Sequence, residues 1–214
     1  MFLDLFFPNR CLACEEIISA NTILCDICEE KLSFSHFKFD SENPLAQKAK
    51  LLFPIENAYA LFIFKEENLA QNLLHRLKYG DQEYIGKYFA HWIFDKTEIT
   101  DIDEIVSVPL HPKKLKKRGY NQLTLFGNEL SKLYKIPINH QLLKRNFHNK
   151  AQAQKDKQHR TETESLFSVI GNPENKHILL IDDVYTTGNT LASIAWEILK
   201  HPNTKVSILV VAMD

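Results

Sequence analysis

Short apolar runs alternate with amphipathic stretches over most of the chain. The strand-like runs lie at 55–64, 105–108, 178–181 and 206–212. Between them, apolar residues recur every three or four positions, as they do on one face of a helix. These predicted helices cover 69–78, 84–94, 121–134 and 191–200. The alternation predicts an α/β domain with a mainly parallel sheet and right-handed crossovers.

Other stretches lack this pattern and divide the chain. Residues 1–35 contain all the cysteines, and 36–54, with two prolines, predict a connector to an α/β domain over 55–214. The polar stretch 144–164 has few large aliphatic residues and predicts a mobile loop or exposed arm. A chain of 214 residues suits one such domain plus a small module. Its longest apolar run, at 58–64, is only as long as a strand, so no transmembrane segment is expected.

The run from Ile178 to Thr190 has the most informative chemistry. Four aliphatic residues are followed by Asp182 and Asp183, a hydroxyl-rich loop and then a helix. In a strand–loop–helix unit, backbone N–H groups and the helix N-terminus converge on an anion, and adjacent carboxylates can accept hydrogen bonds from hydroxyls. A ribose 5-phosphate combines those features. The loop residues expected at the phosphate are Thr186, Thr187, Gly188, Asn189 and Thr190.

Individual residues of that run support the same interpretation. Gly188 permits close backbone approach and positive φ. Asn189 or Thr190 can cap the helix. The alternative is an ordinary strand-to-helix connection, because these residue types are common in loops. Two carboxylates beside a buried strand, however, are costly to desolvate unless something binds them.

The four cysteines form two pairs with metal-ligand spacing. They are Cys11, Cys14, Cys25 and Cys28. Two Cys-x2-Cys knuckles can place four thiolates around one structural zinc ion. Disulfides or a redox dithiol are the alternatives, but residues 1–8 do not resemble a signal peptide. The apolar segment 1–7 is expected to pack under this module, with an interfacial membrane anchor as the alternative.

Charge is distributed unevenly, although the formal net charge is only −1. Residues 111–160 contain thirteen Lys or Arg but only two acids, Glu129 and Asp156. A solvated helix face is the simplest explanation. Two phosphate-bearing ligands could also use this excess: a pyrophosphate, or the backbone of a nucleic acid. The nucleic-acid candidates are Lys113, Lys114, Lys116 and Lys117.

The run 182–190 resembles the phosphoribosyl pyrophosphate (PRPP) signature of the type I phosphoribosyltransferases at every defining position. The resemblance implies the type I phosphoribosyltransferase fold, with Asp182 and Asp183 at the ribose hydroxyls and residues 186–190 at the 5-phosphate. Magnesium would accompany the pyrophosphate. Leu110 and His111 occupy the place of the pyrophosphate loop, where His111 would either bind phosphate or cap the next helix. Arg118 would pair with pyrophosphate oxygens.

A four-cysteine module before such a domain resembles the ComF family of competence proteins. Further similarity lies at 77–81, 106–112 and 117–122, and at Gln154, Arg160 and Phe167. Ala151 and Thr163 depart from the pattern. The resemblance implies a cytoplasmic protein that binds PRPP and handles transforming single-stranded DNA, with a competence helicase or translocase as a possible partner. An active phosphoribosyltransferase of nucleobase salvage and a PRPP-sensing regulator are the alternatives.

Overall fold

The structure, a computed structural model, describes residues 8–19, 21–64, 68–79, 82–146 and 165–214. The helices are α1 (Asp26–Glu29), α2 (Pro44–Lys50), α3 (Leu69–Lys78), α4 (Ile85–Lys96), α5 (Pro112–Arg118), α6 (Leu123–Tyr134) and α7 (Asn189–Leu199). The strands are β1 (Ala58–Ile63), β2 (Glu104–Ser107), β3 (Ile138–Asn139), β4 (Leu143–Arg145), β5 (Phe167–Val169), β6 (His177–Tyr185) and β7 (Lys205–Met213). No helix in these ranges is long and apolar enough to cross a membrane.

Five strands form one parallel sheet in the order β1-β7-β6-β2-β3. The central strands β6 and β7 are nine residues long and pair from His177 with Lys205 to Tyr185 with Met213. Except for the half-buried Val184, their aliphatic side chains are buried, as expected for parallel strands covered on both faces. The predicted α/β architecture with a mainly parallel sheet is therefore confirmed.

Helix α6 packs closely against one face of the sheet, over β2, β3 and β6. Gly127 makes this possible: a Cβ there would collide with Ile138 and lie 2.8 Å from Ile181 Cδ1. Gly86 of α4 packs as closely against α6, where a Cβ would lie 3.0 Å from Phe126 Cβ. The start of α6 is consequently held beside the carboxyl edge of the sheet.

The predicted connector 36–54 contains regular structure. The Asn43 side chain caps α2 by accepting from Ala46 N at 3.0 Å, and Pro44 occupies the first turn, where its missing N–H is not needed. Asn43 Nδ2 also donates to Ala58 O of β1 at 2.7 Å. The connector is thus hydrogen-bonded to the edge of the sheet.

The predicted loop at 144–164 is only partly described. Its first residues belong to β4, which pairs antiparallel with β5. The prediction of a loop was therefore wrong for Lys144 and Arg145. Residues 147–164, with Ala151, Gln154, Arg160 and Thr163, lie outside the described residues.

Candidate phosphosugar site and zinc module

The two carboxylates lie on β6 just past the end of its neighbour. The strand does not stop before them, as the sequence suggested, but continues to Tyr185 because β7 pairs with it over its full length. On the other side, β2 ends at Ser107, opposite Ile181. Asp182 and Asp183 therefore lie beside an opening at the carboxyl edge of the sheet. Ligands of parallel α/β sheets bind at this edge.

Asp183 is held by two side chains from different parts of the chain. Its Oδ2 lies 3.1 Å from Lys78 Nζ and accepts from Gln122 Nε2 at 2.7 Å. The Gln122 Oε1 accepts in turn from Arg118 Nη1 at 2.7 Å. A continuous polar network thus joins the end of α3, the start of α6 and β6.

Three separate sequence motifs meet in this network. Lys78 belongs to the 77–81 segment, and Asp183 belongs to the 182–190 run. Arg118 and Gln122 belong to the 117–122 segment. Of the network residues in the 77–81 and 117–122 segments, only Arg118 was predicted as a site residue. Lys78 and Gln122 were missed because periodicity indicates which face of a helix is apolar and not which distant side chains meet.

Asp182 differs in its protonation. Burial and the adjacent negative charge of Asp183 raise its pKa to about 8, although its Oδ1 accepts from Asp183 N at 2.8 Å and Lys78 and Lys114 act in the opposite direction. Asp182 therefore keeps its proton near neutral pH in this structure. The pair consequently combines a neutral carboxyl with an ion-paired Asp183.

The loop after β6 encloses an open pocket. It is lined by Asp182, Val184, Tyr185, Thr186, Thr187, Gly188, Asn189, Thr190 and Leu191. Gly188 is buried with φ +74°, and a Cβ there would collide with the Tyr185 hydroxyl and lie 2.7 Å from Leu52 Cδ1. The neighbouring loop residues 186, 187, 189 and 190 are exposed. The threonine hydroxyls are consequently accessible at the pocket.

The first turn of α7 completes the pocket. Gly188 is the N-cap and makes no side-chain capping hydrogen bond, so the expectation that Asn189 or Thr190 caps this helix was wrong. Both residues belong to the first turn. A helix start without a side-chain cap offers its N–H groups and positive dipole end to an anion.

Leu110 and His111 connect β2 to α5. His111 caps α5, its Nδ1 accepting from Lys113 N at 3.1 Å, so the capping alternative is observed. Its role toward phosphate stays a prediction. Neither Leu110 nor His111 has positive φ. The next segment is anchored by Asn121, whose Oδ1 accepts from Leu123 N at 3.1 Å.

Helix α5 is basic and largely solvent-exposed, with Leu115 also 41% exposed. Helical spacing places Lys114, Lys117 and Arg118 on one side. That side faces the site, because the charge of Lys114 acts on Asp182 and the Arg118 guanidinium bonds to Gln122. Lys116 lies on the opposite side of the helix from Arg118, and Lys113 lies between Lys116 and Lys117. The four lysine candidates therefore divide into an inner pair and an outer pair.

The cysteine cluster is compatible with one zinc ion. The four Sγ atoms all lie within 4.8 Å of one another, and Cys14 Sγ lies 3.6 Å from Cys25 Sγ. A tetrahedral zinc site with bonds of about 2.3 Å has sulfur–sulfur edges of roughly 3.8 Å. All four cysteines are free thiols, not joined by disulfide bonds. The geometry agrees with the predicted structural site.

The thiol acidities also indicate a need for a cation. Burial acts to raise the pKa of Cys11, but backbone N–H groups of Cys14, Cys25 and Ala13 together lower it to about 6. Burial and the neighbouring sulfur atoms raise the pKa of Cys28 to about 12. Several thiolates can therefore share this space only with a compensating positive charge, which a zinc ion would supply.

Family comparisons agree with both parts of the chain. Residues 2–39 match the double zinc ribbon domain, and residues 123–214 match the phosphoribosyl transferase domain. Competence protein ComFC of Bacillus subtilis is 32% identical over 133 residues, which cover 60% of this chain and 53% of that protein. Competence protein F of Haemophilus influenzae is 30% identical over 134 residues, covering 58% of each. The matched region thus spans little more than half of these relatives.

Solved structures show weaker similarity. The purine phosphoribosyltransferase from Pyrococcus horikoshii Ot3 aligns with a TM-score of 0.34 and 18% identity, covering 73% of this chain and 78% of that one. The fold assignment rests on the domain match and the parallel sheet. DNA utilization protein YhgH of Escherichia coli (strain K12) is a further relative, 26% identical over 144 residues and covering 64% of this chain and 63% of that protein. The chain thus combines a four-cysteine cluster with a phosphoribosyltransferase domain and is similar to the competence proteins ComFC and F.

Proposed function

We propose that this protein binds PRPP together with magnesium and acts in the cytoplasmic handling of transforming single-stranded DNA during natural competence. The observation that carries the proposal is the junction of the phosphate-loop pocket with the Asp183 network and the basic helix α5. The names of the relatives ComFC, competence protein F and YhgH supply the competence and DNA context.

Each part of the site has a role in PRPP binding. The loop residues 186–190 and the start of α7 would hold the 5-phosphate, while Asp182 and Asp183 would accept hydrogen bonds from the ribose hydroxyls. Lys114 and Arg118, on the inner side of α5, would hold the pyrophosphate, beside the loop at Leu110 and His111. Magnesium bound to the pyrophosphate would neutralise part of its charge and improve it as a leaving group.

The DNA part of the proposal rests on the outer side of α5. Lys113 and Lys116 are exposed and would neutralise backbone phosphates. We expect a fluorescent single-stranded oligonucleotide to bind with an affinity that falls steeply with salt. The variant Lys113→Glu/Lys116→Glu should bind several times more weakly and with a shallower salt dependence. Absent or salt-insensitive binding by the wild type would contradict this part of the proposal. A competence helicase or translocase would be the protein partner on the DNA.

Catalytic turnover is a second candidate function. The observation that favours it is the pair of acidic side chains beside the phosphate loop. Asp183 would stabilise positive charge developing on the ribose during loss of pyrophosphate, and Asp182 would add to this once it has lost its proton. In that case pyrophosphate should be released from PRPP with some nucleobase, and Asp182→Asn/Asp183→Asn should abolish the release. If PRPP binds but a full base panel gives no turnover, the site serves as a ligand sensor or scaffold.

A further inference from the structure

Tyr79 presents an aromatic ring at the edge of the phosphosugar site. It directly follows α3, next to Lys78, and is 43% exposed. The Arg118 guanidinium lies over the ring at 4.9 Å from its centroid, and the Arg118 Nη2 donates to the Tyr79 hydroxyl at 3.4 Å. The ring is therefore fixed to the same arginine that reaches Gln122 and, through it, Asp183.

Positive charge surrounds this ring. Lys117 Nζ lies 5.8 Å from the ring centroid, and the hydrogen bond from Arg118, with the charges of Arg118, Lys117 and Lys114, lowers the pKa of the Tyr79 phenol. The last turn of α3 adds the cations Arg76 and Lys78, and its His75 ring packs against Tyr79 with the ring centroids 4.9 Å apart. An exposed aromatic ring among cations is the combination that sequence-independent proteins use for single strands, whose bases stack on the ring while their phosphates contact the cations.

We infer that Tyr79, backed by Arg118, is a base-stacking subsite for single-stranded nucleic acid, adjoining the phosphosugar pocket and continuous with the basic surface of α5. This inference rests on the single-strand binding proposed above and assigns it a specific aromatic contact. A lone uncharged base would need only the ring. The number of cations around Tyr79 favours a ligand with several phosphates, and so a strand over a free nucleobase.

A purely structural role for Tyr79 makes a different prediction. In that case the ring only holds α5 against α3 through Arg118, and loss of the ring would lower the affinity for every ligand of α5 by the same factor. Base stacking instead predicts that removal of the ring lowers the affinity only for strands that carry bases. An abasic oligonucleotide keeps the backbone phosphates and removes the bases, so it separates the two roles.

The experiment compares an oligothymidylate with an abasic strand of equal length by fluorescence anisotropy. Tyr79→Leu removes the ring, Tyr79→Phe keeps it without the hydroxyl, and Phe94→Leu is the matched control. Phe94 is 45% exposed and packs against Tyr134 at 5.2 Å on another surface. We expect Tyr79→Leu to weaken oligothymidylate binding about tenfold, with little change for the abasic strand. Tyr79→Phe and Phe94→Leu should bind like the wild type.

Several results would overturn the inference. One is an oligothymidylate affinity for Tyr79→Leu within twofold of the wild type. Others are an equal loss on both strands, or a loss in Tyr79→Phe as large as that in Tyr79→Leu, since these indicate the hydroxyl–Arg118 contact and not stacking. Tighter binding of thymidine monophosphate than of the strand would assign the ring to a single nucleotide. If the wild type binds neither strand, the proposed DNA function fails with it.

Discussion

At the scale of single residues, the site combines strict steric demands with an unusual charge arrangement. Gly188 must adopt positive φ and must also leave room for Tyr185 and Leu52. Asp183 is ion-paired to Lys78, whereas Asp182 beside it keeps a proton. A closely packed glycine with positive φ and one neutral carboxyl are features that a simple loop connection does not need.

Gly188 and Gly119, which both have positive φ, allow the steric demand to be measured. Gly188→Ala should destabilise the protein by about 2 to 4 kcal/mol, because strain in φ adds to the collision with Tyr185. Gly119→Ala is the matched control: its φ is +81°, but a Cβ there would meet no atom within 4 Å. It should cost only about 1 kcal/mol. Chemical denaturation measures both values, and equal losses would show that the predicted collision is relieved.

The raised pKa of Asp182 predicts a pH-dependent stability. Its folded-state pKa of about 8 exceeds its ordinary value of 3.8, so the folded protein binds more protons between these limits. This carboxyl group therefore stabilises the fold at low pH, and the contribution is lost as pH rises towards 8. The free energy of unfolding should fall by about 2 kcal/mol over this pH range. This is less than the whole pKa shift would give, because the Asp182 side chain is only half-buried and solvent screens its charge.

Asp182→Asn should remove that component of the pH dependence. The amide cannot titrate, so the free energy of unfolding of the variant relative to the wild type should improve from pH 5 to pH 8.5. Urea denaturation at both pH values tests this. A constant difference between variant and wild type would show that Asp182 has an ordinary pKa.

At the scale of elements, α5 connects two ligand surfaces. Its inner side carries Lys114 toward Asp182 and Lys117 toward Tyr79, and its outer side carries Lys113 and Lys116. Lys114→Glu/Lys117→Glu should weaken PRPP binding at least tenfold, because it places negative charge beside the site. Lys113→Glu/Lys116→Glu, with the same change in charge, should weaken it less than threefold. Titration calorimetry with PRPP compares the two double variants. Equal losses of affinity would refute the distinction between an inner and an outer pair of lysines.

The elements also differ in how well sequence predicts them. The prediction matched α3 at Leu69–Lys78, because Leu73, Leu74 and Leu77 form a buried face with helical spacing. Helix α5 was predicted only as a solvated helix face, without bounds, since none of its residues is buried and a lysine run has no apolar periodicity. Helix α2 was missed because it has only seven residues and begins with a proline. The Lys78–Asp183 contact depends on tertiary packing, which local patterns do not encode.

At the scale of the whole molecule, the cysteine module is joined to the sheet edge. Ile63 N donates to Ser33 O at 3.0 Å, and Ser35 N donates to Leu61 O at 2.9 Å. We expect one zinc per chain by elemental analysis. Chelation should abolish hydrogen-exchange protection at 9–32 while β6 and β7 stay protected. Cys11→Ser/Cys14→Ser should reproduce the effect without a chelator. Two disulfides by mass spectrometry, or no zinc, would contradict the site.

The central claim for the whole molecule is that the loop 186–190 is a working PRPP site. Titration calorimetry with PRPP and magnesium, on the wild type and on Thr187→Ala/Thr190→Ala, tests it most directly. Both threonines are exposed at the pocket, so their loss should remove hydrogen bonds to the phosphate and little stability. We predict one PRPP per wild-type chain and an affinity at least tenfold lower in the variant. No binding to the wild type, or equal affinity in the two proteins, would contradict the account.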